Sequence, residues 1–279
     1  MSGKLQRRAA AALALAGVLG IVRAADALLL CEDTTGFAAG GPWPRLAAYA
    51  LLCAPALTLR PKGALRLPAR RQGVRAALWL LAAAAAAAAV SFFAPALRGD
   101  ISVPTGHHMT GGGYTLNLAA DLASALCFAL LAVLAALCAR WLDALETEKA
   151  APKRAFLLAL AVPGTLGLAV YVVRWVLLRS ASAQRVAAMA EALGATAALV
   201  FLVVLAKSLL AASPDGARRT ALWGVLAFGC GFCMLLPQAL LRAGVPGAMP
   251  LPIALVCAAA GLLGGFCALA ACEGEAKGR

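Results

Sequence analysis

Five predominantly apolar stretches of the chain run for 18 residues or more without a charged side chain: 76–97, 122–139, 155–173, 220–241 and 243–272. An α-helix rises about 1.5 Å per residue, so about 20 apolar residues cross the ~30 Å hydrocarbon layer of a bilayer. Of the last stretch, 251–272 is the part that would span. Three shorter runs, 9–22, 46–59 and 192–206, cross only if the flanking Arg23, Arg45, Arg60 and Lys207 lie near the interfaces, where long side chains snorkel. The pattern predicts eight helical spans, over about 9–31, 46–60, 76–97, 117–140, 155–178, 187–207, 220–242 and 251–272, with seven as the alternative count.

Composition agrees with that reading. Of 279 residues, 63% are hydrophobic and 13% charged, against roughly 45–50% and about 25% in soluble domains. One water-soluble core could not bury so many apolar runs. The expected fold is therefore all-α: a polytopic transmembrane helical bundle forming a single membrane domain over 1–279, with no soluble domain.

The formal net charge is +13, and its distribution gives an orientation. With eight spans and an internal N-terminus, 18 of the 25 Lys and Arg residues fall on the inner side. This is the asymmetry that places both termini in the cytoplasm of a plasma-membrane protein. The basic residues sit in short connections without interleaved aromatics, which argues against nucleic acid as a partner. The longest inner connection, "RPKGALRLPARRQGVR" (60–75), reads as a tether or a contact for anionic lipid of the bilayer.

Other local signals refine the picture. The basic start and apolar stretch of 4–27 have the form of a signal peptide, but apolar character resumes at 27–31, so the segment is long enough to span. "SPDG" (213–216) has the residue choice of a type I turn. The outer connection 32–45 is rich in Gly and Pro and places Trp43 at the interface. Ala82–Ala89, eight alanines in a row, predicts a span enclosed by others, because small side chains allow close helix approach. Helix breaks are expected at Pro55, over 162–167 and at Pro237.

Candidate chemistry is sparse. There are nine cysteines. Cys53, Cys127, Cys138, Cys257 and Cys267 read as small buried hydrophobes. Cys230 and Cys233 have the spacing of a redox pair, but in mid-span, away from the helix N-terminus that lowers a thiol pKa. His107 and His108 lie in "GDISVPTGHHMTGGGYT" (99–115). Adjacent on an extended segment they point apart, and the triglycine lacks the Lys and Ser/Thr of a phosphate loop. No metal, no cofactor and no enzymatic activity are expected.

The stronger signal is a constellation. Arg23 and Asp26 share a helix face at i, i+3, and Asp121, Arg174 and Glu191 all fall near outer span ends, as do Gln238 and Arg242. A charge in hydrocarbon costs at least about 2.5–3.5 kcal/mol, so such groups face one another or a watered cavity. Arg23, Asp26, Asp121, Arg174 and Glu191 are accordingly the candidate substrate-binding residues of one outward-facing polar pocket. In that pocket Arg23 would pair with Asp26 or Asp121. The expected function is a small-solute or ion transporter; the alternative is a non-catalytic membrane assembly or partner-binding subunit. The stretch "IVRAADALLLCEDTTGF" (21–37) resembles small bacterial polytopic membrane proteins. The likeness covers about a tenth of the chain, implies a plasma-membrane location, and carries over no functional residue.

Overall fold

In hydrocarbon every backbone N–H and C=O must find its partner inside the chain, and an apolar segment does this most simply as a helix. The computed structural model describes residues 2–30, 43–65, 67, 70–98, 112–145, 151–178, 186–210, 213, 215–243 and 248–277. Among these residues the regular structure is entirely helical. The helices are α1 (Ser2–Leu29), α2 (Trp43–Thr58), α3 (Arg71–Leu97), α4 (Gly112–Leu145), α5 (Ala151–Leu178), α6 (Val186–Leu210), α7 (Gly216–Leu241) and α8 (Leu251–Lys277). Most extend beyond the charge-free runs, because charged ends outside the apolar zone still favour helix.

Seven of the eight are long and apolar enough to cross a membrane. The protein is thus a multi-pass membrane helical bundle. The exception is α2, whose 16 residues reach about 24 Å. Beyond its end the chain continues without helix, with Leu59, Leu65 and Leu67 buried and the Gly63 carbonyl accepting the Ala217 N–H at 3.2 Å. Irregular backbone next to a membrane is tolerated where protein covers it in this way.

Consecutive helices run antiparallel, which gives the bundle two ends. At the near end, the start of α1 meets the end of α8 through Gln6 and Glu273 (2.8 Å). Arg70 also donates to Glu273 there (3.0 Å), and Arg71 and Arg75 pair with Asp143 (2.9 and 2.7 Å). Part of the basic 60–75 connection is therefore engaged with protein, while Arg60 and Lys62 are exposed. The 213–216 turn closes as expected, the Gly216 N–H donating to the Ser213 carbonyl at 3.0 Å.

The centre of the bundle is α8, which packs on α1, α3, α6 and α7. Glycines make this possible. A methyl group on Gly264 would lie 2.6 Å from the Gly224 carbonyl oxygen, and one on Gly261 would lie 2.6 Å from that of Ala227, so α7 and α8 touch backbone to backbone. The expectation that the alanine-rich span is enclosed is only half met. Ala82, Ala84, Ala85 and Ala88 of α3 are buried, while Ala83, Ala86 and Ala87 face outward. Alanine packs equally well against lipid and protein, so the run does not specify enclosure.

The three expected helix breaks resolve differently. Pro55 and Pro163 lie inside continuous helices. Before Pro237, α7 widens into a π-helical stretch, Phe228–Leu235. Proline crowds the carbonyl four residues back, here that of Cys233, and a locally wider turn relieves such crowding. The same carbonyl lies against α1 at Gly20, where a methyl group would come within 2.5 Å of it.

Candidate functional site

All five predicted residues fall at the far end of the bundle, where α1, α3, α5 and α7 finish. They divide into three arrangements instead of one pocket.

The first joins α1 to α2. Arg23 and Asp26, one turn apart on α1, form the expected i, i+3 ion pair. Asp26 also receives Arg45 from the first turn of α2, with Nε at 2.9 Å and Nη2 at 2.8 Å. Two guanidinium groups thus share one carboxylate. Arg23 is 4% exposed and Arg45 6%; the Asp26 carboxylate holds Arg45 against the bundle. Buried Tyr49, one turn further along α2, stands beside Arg23.

The second joins α4 to α5. Asp121 is completely buried and receives Arg174 Nη1 at 2.6 Å, while Nη2 of the same arginine donates to Asn117 Oδ1 at 2.9 Å. This corrects the expected choice of Asp121 as a partner for Arg23. The α1–α2 hairpin packs against α7 and α8, whereas α4 and α5 pack against α3 and α6, so the two arginines occupy different sectors of the bundle.

The third joins α6 to the start of α8. Buried Glu191 accepts the backbone N–H of Met249 at 3.0 Å, just before Pro250 and the first turn of α8. The amide side chain of Gln238 is buried near the end of α7, with Arg242 one turn beyond it.

Arg45, Asn117 and Tyr49 are the additions of the tertiary structure. The sequence holds a signal for two of them. Asn117 precedes Asp121 by four residues and Tyr49 follows Arg45 by four, so each shares a helix face with a charged neighbour.

No protein family, no curated protein and no solved structure matches this chain. The geometry alone therefore carries the functional reading.

The remaining candidates are inert or lie elsewhere. Cys230 and Cys233 are buried within the π-helical stretch. Cys138, Cys257 and Cys267 are buried as expected, but Cys53 is exposed on the outer face of the bundle and Cys127 is half-buried. Among the described residues no three His, Cys, Asp or Glu side chains stand close enough to hold a metal ion. His107 and His108 lie outside the described residues. A cavity of about 50 Å³ lies between α3, α4, α5, α6 and α8, lined by residues such as Leu81, Leu131, Leu134, Leu202 and Leu263. Its one hydroxyl, that of Thr165, donates within its own helix to the Ala161 carbonyl at 2.9 Å. The cavity is apolar and includes none of the far-end charges.

Proposed function

We propose that the protein is a carrier for a small solute or ion, working at the charged far end of the bundle. In this reading it sits in the plasma membrane with both termini in the cytoplasm, so that the far end opens outward. The observation that supports it is the set of buried Arg23, Arg45, Asp121 and Glu191 side chains, with half-buried Asp26 among them, gathered at one end of an otherwise apolar bundle. Ionisable groups within a membrane domain are costly, and they most often mark an ion or substrate path. The separate α1–α2 and α4–α5 ion pairs suit a carrier whose hairpins move relative to each other, each keeping its own charges satisfied. Exposed Arg60 and Lys62 at the near end suit contact with anionic lipid of the inner leaflet. The reading assigns no catalysis.

The test is flux. Purified protein in sealed liposomes, with a pH-sensitive dye or a labelled solute inside, should show saturable exchange that empty liposomes lack. Absence of flux, together with co-purification of a stoichiometric membrane partner, would favour a non-catalytic assembly subunit instead.

A further inference from the structure

Arg45 and Arg23 both hold Asp26, but by different edges of the guanidinium group. Arg45 presents Nε and Nη2, the side-on fork, to the two carboxylate oxygens. Arg23 reaches Asp26 through Nη1. Its Nε and Nη2, the same fork that Arg45 uses, are buried and have no hydrogen-bond partner among the described residues. The hydroxyl of Tyr49 is likewise buried and stands next to Arg23, close enough to interact with it but without a well-formed hydrogen bond.

Arginine keeps its proton, so these donors cannot be silenced by titration. A buried donor left unmatched is strongly unfavourable, and more so when it belongs to a charged group. The acceptor that fits a guanidinium fork is a planar pair of anionic oxygens, as Asp26 is for Arg45. We propose that the Nε–Nη2 edge of Arg23, with the Tyr49 hydroxyl, binds the carboxylate or phosphate group of a small solute or a lipid headgroup. This inference rests on the carrier reading above and narrows its charged solute to an oxyanion.

The experiment uses the full chain in dodecyl maltoside, a detergent without phosphate. Thermal unfolding is followed against lactate, succinate or inorganic phosphate, with chloride at matched ionic strength as reference, and separately against phosphatidylglycerol. At least one probe should raise the unfolding temperature saturably. Arg23→Lys, which keeps the charge but loses the fork, should raise the half-saturating concentration at least tenfold, and Tyr49→Phe should raise it several-fold. If Arg23→Lys does not fold, the Tyr49→Phe comparison decides. A response to soluble anions assigns a solute; a response to the lipid alone assigns a headgroup.

Indifference of the wild type to every probe overturns the site, as does an unchanged half-saturation in the variants. The connection between α1 and α2 contains Glu32 and Asp33. If binding appears only after both are changed to amides, the ligand assignment also falls. Binding without flux in liposomes would keep the site and sink the carrier reading. Flux insensitive to Arg23→Lys and to Tyr49→Phe would keep the carrier and sink the site.

Discussion

Arg174 on α5 grips Asp121 on α4 at 2.6 Å across a sequence separation of 53 residues, and the aspartate is completely buried. The pair clamps the far ends of two antiparallel helices, with Asn117 taking the second Nη of the arginine. Removing one member leaves the other charge stranded, which for buried pairs costs about 3–5 kcal/mol, whereas removing both costs much less than the sum. A double-mutant cycle of Asp121→Leu and Arg174→Leu on detergent stability should therefore be strongly non-additive. The same cycle run on Arg23→Leu and Asp121→Leu should be additive, because those residues belong to separate sectors of the bundle.

Glycine substitutions should separate helix contacts from open faces. A methyl group on Gly20 would lie 2.5 Å from the Cys233 carbonyl oxygen, and one on Gly264 would lie 2.6 Å from that of Gly224. Neither carbonyl can move without displacing its helix, so Gly20→Ala and Gly264→Ala should each cost about 1–3 kcal/mol. Gly17, one turn away from Gly20 on α1, has nothing within 4 Å of such a methyl. Gly17→Ala should be neutral or slightly stabilising through helix propensity. Unfolding midpoints of the three variants in one detergent test the contrast, and equal midpoints would contradict the α1–α7 and α7–α8 contacts.

Glu191 should tolerate loss of charge better than loss of its acceptor. Its Oε1 accepts the Met249 N–H ahead of α8. Glu191→Gln keeps an oxygen there, while Glu191→Leu leaves a buried backbone donor unmatched at about 1–3 kcal/mol. Leucine should lower the unfolding midpoint clearly more than glutamine. Equal effects would mean that the charge, and not the hydrogen bond, is what the position requires.

Topology is open to direct mapping. Reporter fusions after Gly63, Ala150 and Pro214 should read cytoplasmic, and those after Gly40, Gly112 and Gly247 external. The Gly40 and Gly63 pair is the critical one, because it brackets α2, the helix of 16 residues. If both report one side, α2 does not carry the chain across and the protein has seven spans.

Much of this protein was legible in one dimension. Run length and the absence of charge determine that the chain forms membrane helices, and roughly where they lie. They also place Arg23, Asp26, Asp121, Arg174 and Glu191 at one end of the bundle, because depth along a helix follows from counting residues. Neighbours around the bundle do not follow from counting. Lipid and protein interior are equally apolar, so the hydrophobic pattern does not mark which face of a span turns inward. Only the tertiary structure decides that alternate stretches of the eight-alanine run face outward, that α8 is central, and that Asp121 meets Arg174 and not Arg23. It also supplies Arg45 to Asp26, a meeting of two helix ends that neither segment encodes alone. What separates the two kinds of knowledge is direction: the sequence orders residues along the membrane normal, and packing of small side chains decides their arrangement in the membrane plane.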